Sequence, residues 1–209
     1  MRVTNLKPQQ RDKNRVNVYL DGVYSFSLDL AQVLELGIRI NADYSEDEIT
    51  HIRAESEFGK LYTRTLEYSL MRPRSVYEVE QYLYRKMRPS RTKTGEMRPG
   101  YSKQASERVL DRILERGYVD DAKFAMYWVE NRRLKKGASE RLLRSELSAK
   151  GVASSIIDVT LADSPRSERD ELRKVIERKS ARYSDRQKLI QYLVRQGFSY
   201  SDVVDELST

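Results

Sequence analysis

Cysteine is absent from the 209 residues, and histidine occurs once, as His51. The first absence excludes disulfides and thiolate metal sites and fits a reducing compartment. The second leaves little for acid–base or metal chemistry, because His51 falls in the second turn of a predicted helix, where a packing or surface role is the ordinary one. Neither a phosphate-binding glycine loop nor a dinucleotide glycine fingerprint occurs. The start, MRVTNLKPQQRDKNR, lacks the apolar stretch of a secretion signal, and no apolar run approaches bilayer length. The expectation is a soluble, cytoplasmic protein that touches no membrane, has no catalytic residues, binds no metal or cofactor and acts as a monomer.

Apolar residues make up only 39% of the chain and charged residues 34%, a balance that suits thin helical modules better than one thick-cored enzyme. The net charge of +7 is uneven. Residues 1–57 hold 7 basic and 10 acidic side chains, whereas residues 58–120 hold 14 and 8; residues 121–164 (8 and 6) and 165–209 (10 and 8) are mildly basic. The basic excess therefore begins after the N-terminal segment and points to an anionic partner, nucleic acid first. A surface charged only for solubility would show the same total.

The first forty residues read as β structure. Val16, Val18 and Leu20 alternate with polar residues, Asp21-Gly22 supplies a type I′ turn, and Tyr24, Phe26 and Leu28 resume the alternation. Val3 to Leu6 offers a third strand, and a short helix from Leu30 to Leu36 stops at Gly37. Ser45 and Glu48 then form a capping box that opens a helix, which Gly59 is expected to interrupt. Beyond it the pattern is helical throughout, with stops at Gly117, Gly151 and Gly197 and no strand signal.

These glycines reveal an internal repeat. A shift of 46 places Leu143, Leu147, Gly151, Ile157 and Leu161 on Leu189, Leu193, Gly197, Val203 and Leu207. A shift of 64 places Ser139, Leu143, Leu147 and Lys150 on Ser75, Val79, Leu83 and Lys86, and a shift of 47 places Ile157 and Leu161 on Leu110 and Leu114. The expected fold is mainly α: tandem three-helix, helix-turn-helix-like repeats in an elongated curved array, behind a small N-terminal α+β (β-hairpin) domain. Its expected divisions are 1–44, 45–120, 121–164 and 165–209. The first repeat carries a flexible basic insertion at 88–104, with Arg88, Arg91, Lys93, Arg98 and Lys103.

The most distinctive stretch is GYVDDAKFAMYWVENRRLKKG, Gly117 to Gly137. Gly117 suits a left-handed helix stop, and Asp120 or Asp121 suits the cap of the next helix. Phe124, Tyr127 and Trp128 share a face of that helix and read as core. Metal ligation by the aspartates would need further acids or histidines nearby. Positive charge recurs before or at the start of each middle helix: Arg72 and Arg74; Arg132, Arg133, Lys135, Lys136, Arg141 and Arg144; Arg182 and Arg186. There the helix N-termini are expected to add free N–H groups for phosphate or carboxylate. Basic residues that merely offset the dipole of the preceding helix are the plain alternative.

GYVDDAKFA, followed by LKKG and a polar helix running to ELSAKGV, resembles the centre of RecX regulatory proteins. MRPRSVYEVEQYLYRK before it, YSDRQKLIQYLVRQGFSYSDVVDEL after it and the YLDGVYSFSLD hairpin extend the resemblance over nearly the whole chain, although Ala138-Ser139 stands where the family often has proline. The resemblance implies a partner, the RecA recombinase filament on DNA, whose ATP hydrolysis and strand exchange such proteins modulate, usually by inhibition, in recombination, DNA repair and the SOS response. It also implies binding to single- and double-stranded DNA. On this reading Arg72, Arg74, Arg88, Arg132, Arg133, Lys135, Lys136, Arg141 and Arg144 form the contact surface, and Gly117, Asp120, Asp121, Phe124, Trp128 and Gly151 the scaffold. The rival expectation is a standalone helix-turn-helix DNA-binding protein.

Overall fold

The structure, a computed structural model, describes residues 1–10, 12–92 and 95–208. Lys93, counted above among the insertion cations, lies outside the described residues. Strands β1 (Val3–Pro8), β2 (Arg15–Leu20) and β3 (Val23–Asp29) form an antiparallel sheet in that order. Asp21 and Gly22 turn between β2 and β3 at φ 48° and 85°, the type I′ geometry whose twist matches the strands it joins. A bulge after Val18 moves Tyr24 onto the face of Tyr19, so Tyr24 is 50% exposed while Phe26 and Leu28 enter the core. The alternation expected to run through Tyr24 therefore breaks there. Val3, Val18, Leu20, Phe26 and Leu28 pack with Ile38, Ile49 and Ile52.

Helix α1 (Leu30–Glu35) starts with an Asp29/Gln32 capping box, and α2 (Glu46–Leu70) with the Ser45/Glu48 box. The break expected at Gly59 does not occur. A Cβ at that position would come within 2.6 Å of the Gln32 amide, which donates to the Glu55 carbonyl. Gly59 permits a close approach and leaves α2 unbroken.

Next come α3 (Val76–Met87), the two-residue strands β4 (Ser90–Arg91) and β5 (Met97–Arg98), and α4 (Lys103–Glu115). The insertion read as a flexible, strand-free loop thus holds a small hairpin, closed by Thr92 N–H on the Glu96 carbonyl at 2.8 Å. Helix α4 buries Ala105, Ser106, Val109 and Ile113, while Leu114 is 37% exposed. The shift of 47 therefore picked the wrong face of α4, because this helix is longer and ends at Gly117, where α7 has no glycine.

Two more triplets follow. They are α5 (Asp121–Asn131), α6 (Glu140–Ala149) and α7 (Ser154–Ala162), then α8 (Glu168–Lys179), α9 (Arg186–Arg195) and α10 (Tyr200–Glu206), with a 3-10 turn at Ser180–Arg182. Phe124, Val129, Leu143, Leu147 and Ile157 form the core of the former; Leu172, Val175, Leu189, Leu193, Phe198 and Val203 form that of the latter. Burying each such side chain contributes about 1.5–3 kcal/mol. The protein is mainly helical with a small N-terminal sheet. It divides into two compact units, Met1–Arg72 with Val79–Tyr118, and Pro73–Glu78 with Val119–Thr209. Among the described residues no helix is long and apolar enough to cross a membrane.

Candidate partner and nucleic-acid interface

The paired aspartates have separate structural tasks within the second unit. Asp120 caps α5 by accepting the N–H groups of Ala122 (2.8 Å) and Lys123 (3.1 Å). Asp121 reaches the first turn of α3, where its Oδ1 accepts the Val76 N–H at 2.9 Å. Burial raises the Asp121 pKa above the usual carboxylate range; the Val76 N–H opposes that rise and the Asp120 charge adds to it.

The same clasp occurs one repeat later. Glu168, 47 residues after Asp121, accepts the N–H of Glu140, the first residue of α6, at 2.9 Å. Gly151 packs against Tyr77, the second residue of α3, and Gly197, 46 residues on, packs against Arg141, the second residue of α6. In each case the middle helix of one triplet starts against a carboxylate and a left-handed glycine of the next. The expectation that the N-termini of α3 and α6 offer free N–H groups to an outside anion is corrected accordingly: the chain's own carboxylates already occupy them.

At α6 the clasp is deeper. Glu171, 2% exposed, accepts the Ala138 N–H at 2.9 Å, the Lys174 ammonium at 2.7 Å and the Arg166 guanidinium. Burial works to raise the Glu171 pKa, but these three donors hold it below the usual value. Arg166 also donates to the carbonyls of Val129 (2.6 Å) and Arg132 (2.8 Å), which closes the C-terminal end of α5. The Ser139 hydroxyl donates to the Gln196 carbonyl at 2.7 Å. Sequence reasoning missed Arg166, Glu168 and Glu171; extending the shift of 47 to Asp121 would have found Glu168.

The cations nominated from sequence divide by how they are held. Arg132 gives two hydrogen bonds to Glu146 (2.8 and 2.9 Å), and Arg133, at φ 51°, stands 3.7 Å from the same carboxylate. Arg144 binds Asp158 and lies 3.3 Å from Glu140. Lys135, Lys136 and Arg141 are exposed and form no ion pair with any described residue. They bracket the α5–α6 corner and carry its unneutralised charge. Arg74 lies 3.9 Å from the Glu78 carboxylate, which also holds Lys150 at 2.7 Å. Arg72 and Arg88 belong to the first unit; Arg72 is half-buried, and Arg88 is exposed with its guanidinium 4.6 Å from the Tyr84 ring centre. Gly117 ends α4 at φ 66°, Phe124 is fully buried, and Trp128 packs beside it in the α5–α7 core. Among the described residues no group of three or more His, Asp or Glu side chains is placed to hold a metal ion.

Fold and site together define a mainly helical protein of three-helix units with exposed cations, Lys135, Lys136 and Arg141, that pair with no described carboxylate at the α5–α6 corner. Residues 1–43 match the family model described as the regulatory protein RecX N-terminal domain, and residues 120–161 match the RecX second three-helix domain. The regulatory protein RecX of Mycobacterium leprae is 38% identical over 116 residues, spanning 51% of this chain and 67% of that protein. That of Clostridium tetani is 28% identical, spanning 99% and 93%. A crystal structure of a regulatory protein RecX superposes with a TM-score of 0.72 at 22% identity, covering 100% of this chain and 99% of the other, a likeness of fold. The chain belongs to the RecX family.

Proposed function

We propose that this chain is a non-catalytic cytoplasmic regulator that binds the RecA recombinase filament and DNA as a monomer and restrains the filament's ATP hydrolysis and strand exchange. Its four segments, 1–44, 45–120, 121–164 and 165–209, act as successive modules along the filament. The observation that carries this reading is the set of unpaired cations at the α5–α6 corner, Lys135, Lys136 and Arg141, beside arginines already held by carboxylates. Such charge steers a basic module to a polyanionic filament and makes binding salt-sensitive. Arg72, Arg74, Arg88, Arg132, Arg133 and Arg144 complete the proposed contact surface, the last three chiefly by shaping the corner.

Independent action as a helix-turn-helix protein is less well supported. A three-helix DNA reader presents its third helix to base edges, whereas the third helices α7 (SSIIDVTLA) and α10 (YSDVVDE) carry no Lys or Arg. The test is RecA ATPase on single-stranded DNA at rising protein concentration, with filament co-sedimentation. Dose-dependent inhibition and pelleting, both weakened by Lys135→Gln/Lys136→Gln/Arg141→Gln, are the expected results. Absence of both pelleting and any change in ATPase would refute the proposal.

A further inference from the structure

The first unit contains a second concentration of positive charge, drawn both from the acidic segment 1–57 and from the basic segment 58–120. A cleft of about 770 Å³ opens between β3, the middle of α2 and the end of the β4–β5 hairpin. Arg15, Arg53, Lys60, Arg64 and Arg98 line it, and none forms an ion pair with any described residue. Neutral groups orient three of the arginines. Arg15 donates to the Ser27 carbonyl (2.8 Å), Arg53 to the Ser25 hydroxyl (3.1 Å) and Arg64 to the Tyr101 hydroxyl (2.9 Å). Their charges are therefore aimed but not neutralised.

Three carboxylates, Asp12, Glu57 and Glu67, share the wall with these five cations, so the cleft keeps a positive excess, and two of the three are held in place by neutral donors. Glu57 accepts both the N–H and the hydroxyl of Ser102, at 2.6 and 2.8 Å, and Asp12 accepts the Asn14 N–H at 3.1 Å. Lys60 is half-buried; burial lowers its pKa, and Arg15, Arg64 and Arg98 lower it further against a weaker pull from Glu57. Packing like charges this closely raises the energy of the empty cleft, and an entering anion relieves it.

We propose that this cleft binds the sugar–phosphate backbone of single-stranded nucleic acid, with Lys60, Arg64 and Arg98 as phosphate contacts and Tyr24 as a stacking surface. The volume lies within the range of small-ligand clefts, roughly 300–1,000 Å³, enough for a nucleotide or two and too confined for a duplex. Tyr24, 50% exposed at the rim, offers the aromatic face that single-strand grooves combine with basic side chains. The site lies in a different unit from Lys135, Lys136 and Arg141 and needs no recombinase.

The test is fluorescence anisotropy of the full chain, without RecA, on a labelled oligothymidylate of about 20 nucleotides over a salt series. Lys60→Gln/Arg98→Gln should weaken binding at least about fivefold and reduce the salt slope by about 1.4, the value for two phosphate contacts on a single strand. Tyr24→Ala should weaken binding and leave the slope unchanged. Thermal melts check the fold, and Arg98→Gln alone, on the exposed hairpin, provides a milder variant. Wild-type affinity and slope in folded Lys60→Gln/Arg98→Gln and in Arg98→Gln would overturn the proposal. So would tight binding of tripolyphosphate lost in these variants while the oligonucleotide still binds normally, which would assign the cleft to a small phosphate ligand. Because RecA is absent, failure of filament regulation would not affect either result.

Discussion

Trp128 donates its indole N–H to the Glu146 carboxylate at 3.0 Å, so the sole tryptophan is bonded to the helix after its own. Arg132 grips the same carboxylate twice, and its guanidinium lies 5.1 Å from the indole centre; the Lys150 ammonium stands 5.5 Å from it. Burial works to raise the Glu146 pKa, but hydrogen bonds from Arg132 and Trp128 hold it below the usual range. A cation chosen from sequence as a partner contact thus also holds α5 to α6.

Arg132 should therefore weigh on stability where its neighbours Lys135 and Lys136, which pair with no described carboxylate, should not. Arg132→Gln should destabilise the second unit by about 1 kcal/mol, a charge-assisted bond discounted for its partial exposure. Lys135→Gln/Lys136→Gln should change stability by less than about 0.5 kcal/mol. Urea unfolding followed by Trp128 fluorescence measures both, since the indole reports on the bond being cut. Equal effects of the two variants would contradict this division.

The repeat was legible in sequence because glycines and leucines recur at 46–47 residue spacing, and α6 and α9 begin 46 residues apart. Helix starts were legible through Ser45, Asp120 and the other polar caps. What holds one triplet to the next was not. Arg166 lies 37 residues from the Val129 carbonyl, and Glu171 lies 33 from the Ala138 N–H. Nothing local in Pro165-Arg166 distinguishes a buried guanidinium from a solvated one. The cleft of the first unit was hidden for a related reason. Arg15, Arg53, Lys60, Arg64 and Arg98 are spread over 84 positions of the chain, 15 to 98, and only folding brings them to one cleft. Gly59 shows the limit of reading glycine as punctuation, since its role depends on Gln32, 27 residues earlier.

The three glycine stops should differ in cost. Gly117, Gly151 and Gly197 all have positive φ, at 66°, 77° and 103°. At Gly117 an added Cβ meets nothing within 4 Å, so Gly117→Ala carries only the backbone penalty of about 1–2 kcal/mol. At Gly151 the new Cβ would sit 2.7 Å from the Tyr77 Cβ, and at Gly197 2.4 Å from the Ser139 Oγ. Those contacts force the docked triplets apart and should add about 1–3 kcal/mol each. Urea midpoints that rank Gly117→Ala mildest are the expected result; equal midpoints would mean that the clasps contribute little.

Two of the three clasp carboxylates, Asp121 and Glu171, should respond to pH with opposite sign. Asp121 has a raised pKa, so the folded state binds its proton more tightly than the unfolded chain, and stability falls as pH rises from the ordinary aspartate range through the raised value. Asp121→Asn keeps an acceptor for the Val76 N–H and removes the buried charge. It should therefore raise the melting temperature slightly at neutral pH, with the gain vanishing below about pH 4. Glu171 has a lowered pKa, so its contribution is full above the usual glutamate value and is lost as pH falls through the depressed one. Glu171→Gln leaves the Arg166 guanidinium buried without its counter-charge and should cost about 3 kcal/mol at neutral pH. That deficit should shrink in acid, where the native Glu171 is itself protonated. Melting curves of the two variants from neutral pH to about pH 3 decide the matter. Parallel curves for both, or a neutral-pH loss in Asp121→Asn as large as in Glu171→Gln, would show that the carboxylates act as plain caps and that their charge states are immaterial.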